Sequence, residues 1–474
     1  MIMSISWKNV WRNRNRSLVV IIAVTLGIIA GVLLVGIMKG WVEQRLHDAI
    51  YNEVSHLQIH NSEYLKNEEI ILTVNDTAEI AGAIKSLPDL SGWVKRTKMF
   101  AMAGTPWATT GINIYGTDPG KEKQVTEIYK KVINGAGEYL GEQRSGNILI
   151  SDKTAEILKL KQYVITHEIA GKLSEEKIPA DVLEKLNDIT DIRFRSPKDF
   201  REALKNRLSR NELDRYGLII VDEALDYRIR SKILITFSDK SGTPVQGTFR
   251  VCGIYKTTNG GFDQVSAFVH AEDLAELYGE EGVLTHEIAI MLNDIDNAGA
   301  AKELLSGISP LNTVSTWKEL APDAAMMNDY MVAYYFIFIG IIMLALAFGI
   351  INTMLMTILE RTREIGMLMA VGMNRRRVFS MILMETIFLT IVGALAGMVS
   401  GWSLVRILGR TGIHFSGWGE GFEAMGFSAR VYPVITLDFF LFSIFIVIAT
   451  AIISSIWPAR KALKLNPVDA LRTE

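Results

Sequence analysis

The apolar positions of this chain fall into two regimes. Four runs, at residues 18–39, 330–359, 378–408 and 434–457, are almost free of charge, whereas the stretch between the first and the second alternates apolar and polar positions at strand and helix periods. A helix rises about 1.5 Å per residue, so about 20 apolar residues cross a ~30 Å hydrocarbon core. Each run meets that length, and the pattern predicts four transmembrane helices. The second reaches roughly 43 Å over residues 331–359, which requires tilt or protrusion.

Cations assign the sides. Lys8, Arg12, Arg14 and Arg16 precede the first run, and Arg361, Arg363 and Arg375 to Arg377 lie between the second and third. Arg460, Lys461 and Lys464 follow the fourth. By the positive-inside rule, both termini and residues 360–377 are expected in the cytoplasm, and residues 40–329 and 409–433 outside. Met3, Trp7, Val10 and Trp11 recur at helical spacing, so residues 1–17 read as an amphipathic arm on the inner leaflet. The first run exceeds a signal-peptide core and no small-x-small site closes it, which predicts a retained anchor.

Residues 40–329 read as a mixed α/β domain. WVEQRLHDAI continues the first span as a helix, VSHLQIH alternates as a strand, and TAEIAGAIKSL is a helix. GINIYGTDP, NILIS, ILITF, GTFRVCGIY and SAFVH predict further strands, with helices at TAEILKL and AEDLAELYG. Residues 163–228 carry many charges and several short helical patterns, among which DVLEKLNDI and DFREALKNRL are amphipathic helices expected to pack on the domain or, less simply, on a partner. Thr316 and Glu319 fit a capping box, so a helix is expected from TWKEL, interrupted at Pro322 and running on into the second span. The fold class is therefore an α+β membrane protein: four transmembrane helices with a large mixed α/β extracytoplasmic domain between spans 1 and 2.

Composition agrees with that division and removes several functions. The 474 residues are 49% hydrophobic and 22% charged with a formal net charge of −2, which disfavours a nucleic-acid partner. The single cysteine, Cys252, excludes an internal disulfide framework and is expected as a buried structural thiol. His56 and His60 share a strand face, but about 13 Å of extended chain separates them, too far for one metal. No GxSxG, HExxH or G-x-x-x-x-G-K-[ST] occurs, so a catalytic or ATP-hydrolysing site is not expected in these residues. In the third run, Glu385 is costly in lipid and is expected to pair with an arginine such as Arg376 or to reach the surface. Gly393, Gly397 and Gly401, spaced by four, allow close helix packing within the chain or between subunits.

The connector ERTREIGMLMAVGMNRRRV decides the reading. Ile365, Leu368 and Met369 recur at helical spacing and Gly366 and Gly372 permit close approach and a helix stop; this describes an amphipathic cytoplasmic helix or, from periodicity alone, a solvated loop. With Asn352, Thr353 and Met354 before it and R-x-R-E-I-G-x-L-x-A-x-G within it, the string resembles the coupling loop of MacB/LolC/FtsX-type ABC transporter permeases. The ending P-A-x-K/R-A-x-x-x-x-P-x-x-A-L-R is similar to theirs, and WKNVWRNRNRS, HLQIH and GIYKTTNGGFD look most like the lipoprotein-releasing, LolC/LolE-like branch. The resemblance implies a non-catalytic permease subunit of the bacterial inner membrane, acting by mechanotransmission in lipoprotein release; because such permeases pass almost directly from a helix like TAEILKLK into a strand like KILITF, it also implies that residues 163–228 are an inserted lobe. MacB-like efflux of peptides or hydrophobic compounds, or FtsX-like control of a cell-wall hydrolase, are the alternatives. It implies ATPase coupling through Arg361, Arg363, Glu364, Ile365, Gly366, Leu368 and Gly372, and helix packing through Asn352, Glu385, Gly393 and Gly397. Its implied partners are a dimer of ABC ATPase subunits, which hold ATP and Mg, a second permease subunit (homo- or heterodimer), a lipoprotein or hydrophobic substrate and a periplasmic carrier; this chain itself holds no cofactor.

Overall fold

The computed structural model describes residues 2–12, 14–175, 178–279, 282–415 and 419–463. Its contacts divide the chain into a helical unit (residues 1–44, 326–419 and 428–474) and a β-rich unit (residues 45–325 and 420–427). The predicted tail from Lys464 onward lies outside the described residues.

The helical unit is built on six helices: α1 (Ile2–Arg12), α2 (Arg14–Asp48), α3 (Pro322–Glu360), α4 (Thr362–Ala370), α5 (Arg375–Thr411) and α6 (Leu437–Leu463), of which α2 and α3 run on into the other unit. Four helices among the described residues are long and apolar enough to cross a membrane. The helices outrun the apolar runs because intrahelical bonding continues into polar sequence until a cap stops it. Thus α6 passes through Pro458, where the apolar pattern alone places an exit, since proline costs one backbone bond but its φ suits a helix. Capping at the end of the β-rich stretch of sequence matches the expectation: Thr316 and Glu319 form a capping box on Trp317–Leu320, and α3 starts afresh at Pro322.

In the β-rich unit the strands are β1 (Leu57–Asn61), β2 (Leu90–Gly104), β3 (Thr109–Thr117), β4 (Val132–Gly137), β5 (Asn147–Ser151), β6 (Lys161–Tyr163), β7 (Leu225–Tyr227), β8 (Lys232–Ser238), β9 (Pro244–Tyr255), β10 (Ser266–His270), β11 (Glu287–Leu292) and β12 (Asn312–Thr316). Ten of them form one sheet: nine follow the order β12-β1-β11-β2-β3-β10-β5-β9-β4, and the tenth, β8, pairs both β2 and β9. That double pairing closes β2, β3, β10, β5, β9 and β8 into a ring. Alternate residues point inward and fill it: Met99, Ala101 and Ala103 from β2, Ile112 and Ile114 from β3, Ile233 and Ile235 from β8. The flanking sheet β12-β1-β11 carries a second core of Ile59, Ile288, Ile290 and Val314 under helices Thr77–Lys85 and Ala298–Ser306.

β2 belongs to both, pairing with β11 up to Arg96 and with β3 from Thr97. At that crossing the Arg96 guanidinium is only 2% exposed. It donates from Nε and Nη2 to both oxygens of Glu122 at 3.1 and 2.6 Å, and from Nη1 to Glu287 Oε1 at 2.5 Å. Thr117 and Thr126 hydroxyls donate to Glu122 at 2.6 and 2.9 Å, which completes its acceptor sites. Burial by itself would neutralise Glu287, but the adjoining Arg96 charge holds its carboxyl below the usual range. The histidines are structural too: His60 sits between His286 O and Gln58 Oε1, and His56 Nδ1 accepts from Leu292 N.

The inserted lobe is a module with its own centre. Residues Tyr163, Leu173, Val182, Leu186, Phe200, Leu204 and Ile220 form a core drawn entirely from the insertion, so its helices pack on one another rather than on the parent domain. Its neck is the hairpin β6–β7, braced where Lys161 and Tyr227 meet Asp152 at 2.8 and 2.6 Å. The guanidinium groups of Arg195 and Arg228 each lie over the Trp107 ring, 4.9 and 4.3 Å from its centre.

Two outcomes are expected. Arg96→Met leaves Glu122 and Glu287 buried without their cation and should cost about 3–5 kcal/mol in urea unfolding of the purified protein. Asp263 accepts from Thr257 N and Oγ1 at 2.9 and 2.7 Å, yet burial pushes its carboxyl up to about 7. The folded state therefore holds an extra proton between about pH 4 and 7, and stability lost as pH rises through that window is absent in Asp263→Asn. Thermal unfolding at pH 5 and 8 should show the variant gaining on the wild type at the higher pH, by roughly 2–4 kcal/mol when ionisation is complete.

Candidate functional site

The connector is a helix, not a loop. Thr362 turns the chain out of α3 by donating its hydroxyl to Ile358 O and Leu359 O at 3.1 and 2.8 Å, and α4 follows at once. It ends in a Schellman arrangement: Met373 N donates to Leu368 O at 3.0 Å and Gly372 N to Met369 O at 3.1 Å. Gly372 has φ +97°, so the stop depends on glycine's freedom in backbone and not on space. Asn374 Oδ1 then caps α5 by accepting from Arg376 N at 3.1 Å.

Ile365 and Gly366 are buried, and Ile365 joins the helical core with Val10, Val378 and Ile382. Leu368 is half-buried. Ile365 and Gly366 thus fasten the connector to the bundle. The exposed side of α4 is instead Arg363, Met367 and Val371, one stripe at i, i+4, i+8, with Met367 54% and Val371 85% exposed. The sequence reading includes only Arg363 of these; the four-residue spacing of two apolar residues away from the buried face was the available signal.

A chain of charges crosses from this connector into the bundle. Arg12 of α1 meets Glu364 at 2.5 Å, Arg361 Nε donates to Glu364 at 3.0 Å, and Arg361 Nη1 donates to both oxygens of Glu385 at 3.0 Å. The partner of Glu385 is thus Arg361 and not Arg376, because Arg361 stands at the bend after α3 and faces α5, whereas Arg376 is exposed. Burial alone would raise Glu364, but hydrogen bonds from Arg12 and Arg361 outweigh it and hold the carboxyl low. The arm is seated by Val10, which is fully buried, by Ser6 Oγ donating to Met381 O at 3.2 Å, and by Trp7 edge-on to Phe388.

Gly393 and Gly397 meet α2. A methyl group on Gly393 would lie 3.0 Å from Ile21 O, and one on Gly397 2.9 Å from Thr25 O, so the glycines set a backbone contact inside the chain. Thr25 Oγ1 donates across it to Gly393 O at 3.1 Å. Gly401 packs instead against the Val32 side chain. Asn352 is exposed; Met354, two residues on, is the buried member of that turn.

Residues 336–467 match the family described as FtsX-like permease C-terminal. The FtsX-like segment therefore contains the connector, Glu385 and the glycine contact. Over 126 residues the chain is 34% identical to the macrolide export ATP-binding/permease protein MacB of Chlorobium luteolum, covering 27% of this chain and 16% of that protein. The uncharacterized ABC transporter permease YknZ of Bacillus subtilis is 27% identical over 241 residues, 49% of this chain and 55% of that one. The chain thus spans from about a sixth to about half of the length of these relatives. Among solved structures, the extracellular domain of a YknZ transporter from Gram-positive bacteria aligns over 55% of this chain and all of that one, at 13% identity and a TM-score of 0.29.

The ion chain predicts an asymmetry. Arg361→Met strands Glu385 among apolar residues and should destabilise the detergent-solubilised protein by about 3–5 kcal/mol. Glu385→Gln leaves Arg361 with Glu364 and should cost less, and the double variant should recover much of the loss of the first. Thermal unfolding of the three variants measures this.

Proposed function

We propose that the chain is the membrane subunit of an ABC transporter working by mechanotransmission, with residues 360–377 facing the cytoplasm and the β-rich unit outside. The observation that carries this is α3. Its 39 residues, ~58 Å at 1.5 Å per residue, run without interruption from the capped turn Trp317–Leu320 to the connector. A Walker-type ATPase, separate from these residues, docks on the stripe Arg363, Met367 and Val371; its closure moves α4, and the Arg361–Glu385 and Glu364–Arg12 contacts oblige α5 and α1 to follow. In this reading ATP and Mg belong to the ATPase, and a second permease subunit completes the complex.

For the substrate, lipoprotein release rests on the arm WKNVWRNRNRS and the motifs HLQIH and GIYKTTNGGFD. Efflux of a hydrophobic compound is the second reading, favoured by the export function in the name of the MacB relative. Both use the same stroke and differ in what the outer unit lifts.

Met367→Asp with Val371→Asp alters exposed positions only. It should leave the fold intact and abolish co-purification of ATP-hydrolysing activity with the chain, whereas the wild type carries it. Retained activity in the double variant would overturn the docking stripe. In vesicles carrying a labelled lipoprotein, ATP-dependent transfer to a soluble acceptor supports release; transport of a hydrophobic dye without such transfer supports efflux.

A further inference from the structure

The first span does not end in a simple turn. After Asp48 the chain winds residues Ala49–Val54 as a π-helix, and Ser55 N donates to Ile50 O at 2.8 Å. Such turns are rare and concentrate at functional positions. Ser55 itself takes φ 61° and ψ −176°, a region that is essentially glycine's alone. It is fully buried, and its hydroxyl donates to Leu57 O at 3.0 Å, where β1 begins.

A polar clamp holds this distortion. Asp48, 5% exposed, accepts at Oδ1 from Asn52 Nδ2 at 2.8 Å and Lys131 Nζ at 3.3 Å, and at Oδ2 from Thr258 Oγ1 at 2.6 Å. One turn earlier, buried Arg45 donates to Glu53 at 2.8 Å and reaches Asp323, the second residue of α3, at 3.4 Å. Glu127 N donates to Tyr51 O at 2.7 Å. Yet Asn52 Oδ1 is buried with no hydrogen-bond partner among the described residues. Within seven residues there are thus a π turn, a left-handed serine and an orphaned amide oxygen, each unfavourable.

We infer that residues 49–55 are a two-state joint between the first span and β1, and that Thr258 is the residue that sets its state by pinning Asp48. The clamped state is the one described above. When Asp48 is released, the turn rewinds with i→i+4 bonds, Ser55 leaves the left-handed region, and β1 shifts relative to α2. The use of the joint in a transport stroke rests on the proposed function; its existence does not. It also gives the TTNGG stretch a task, since Asn259 Oδ1, by capping Gly261 N and Phe262 N at 3.0 and 3.2 Å, holds Thr258 against the helix end.

Spin labels at Glu43→Cys and Glu303→Cys, in full-length protein with Cys252→Ser, report the joint by electron–electron distance measurement in nanodiscs without ATPase or ATP. Ser55→Gly should enrich the clamped distance about tenfold, as expected for removing strain of this size. Thr258→Val and Ser55→Val should each populate a second distance, by release of the pin and by exclusion from positive φ. The Thr258 variant keeps the test valid if Ser55→Val does not fold. The same single distance in Ser55→Gly, Thr258→Val and wild type would overturn the joint. Because no ATPase is present, that failure is separate from failure of the transporter reading, which shows as absent ATPase binding.

Discussion

The β-rich unit depends on one buried cation. β2 passes from the flanking sheet into a closed ring of strands within a single residue step, and at that step Arg96 binds Glu122 and Glu287 shielded from solvent. A guanidinium suits the place because its planar fork can serve two carboxylates at once, and because it stays charged where burial would neutralise a lysine. The threonines around Glu122 matter as much, since an incompletely bonded ion pair in such surroundings would be worse than an apolar filling.

The helical unit answers a related constraint differently. Glycines on α5 let backbone meet backbone against α2, which gains contact where no water is available to drive helices together. Against that dry contact the unit sets one ionic chain, Arg12–Glu364–Arg361–Glu385, at the edge where α3 gives way to α4. The apolar face holds the helices side by side, and the ionic chain fixes the angle at which the connector leaves them.

Much of this was legible in the residues. Four apolar runs, the capping box at Thr316 and the helix stop at Gly372 follow from rules that act over a few residues, and the structure has all three. Of the predicted strands, β8 and much of β3 and β9 alternate in burial, whereas β1, β5 and β10 are short apolar-rich runs buried on both faces. β2 was missed because LSGWVKRTKMFAMAG turns an arginine inward and lines the ring with alanine, so its alternation is hidden. β11 and β12 were missed because they are short and buried among long-range partners. The coupling residues were read as one set, but burial divides them: Ile365 and Gly366 face the bundle, and Met367 and Val371, left out, face away. Local spacing gives a helix its two faces; only the tertiary fold says which is covered.

The lobe enters and leaves through two adjacent antiparallel strands, Lys161–Tyr163 and Leu225–Tyr227. Chain ends that close together can be joined by a short turn as readily as by sixty residues, at little cost in loop entropy. Divergence in length between relatives can therefore accumulate at this hairpin while ring closure is untouched. A domain built this way behaves like a socket: it can acquire, exchange or lose a folded attachment while the ring and its core stay as they are.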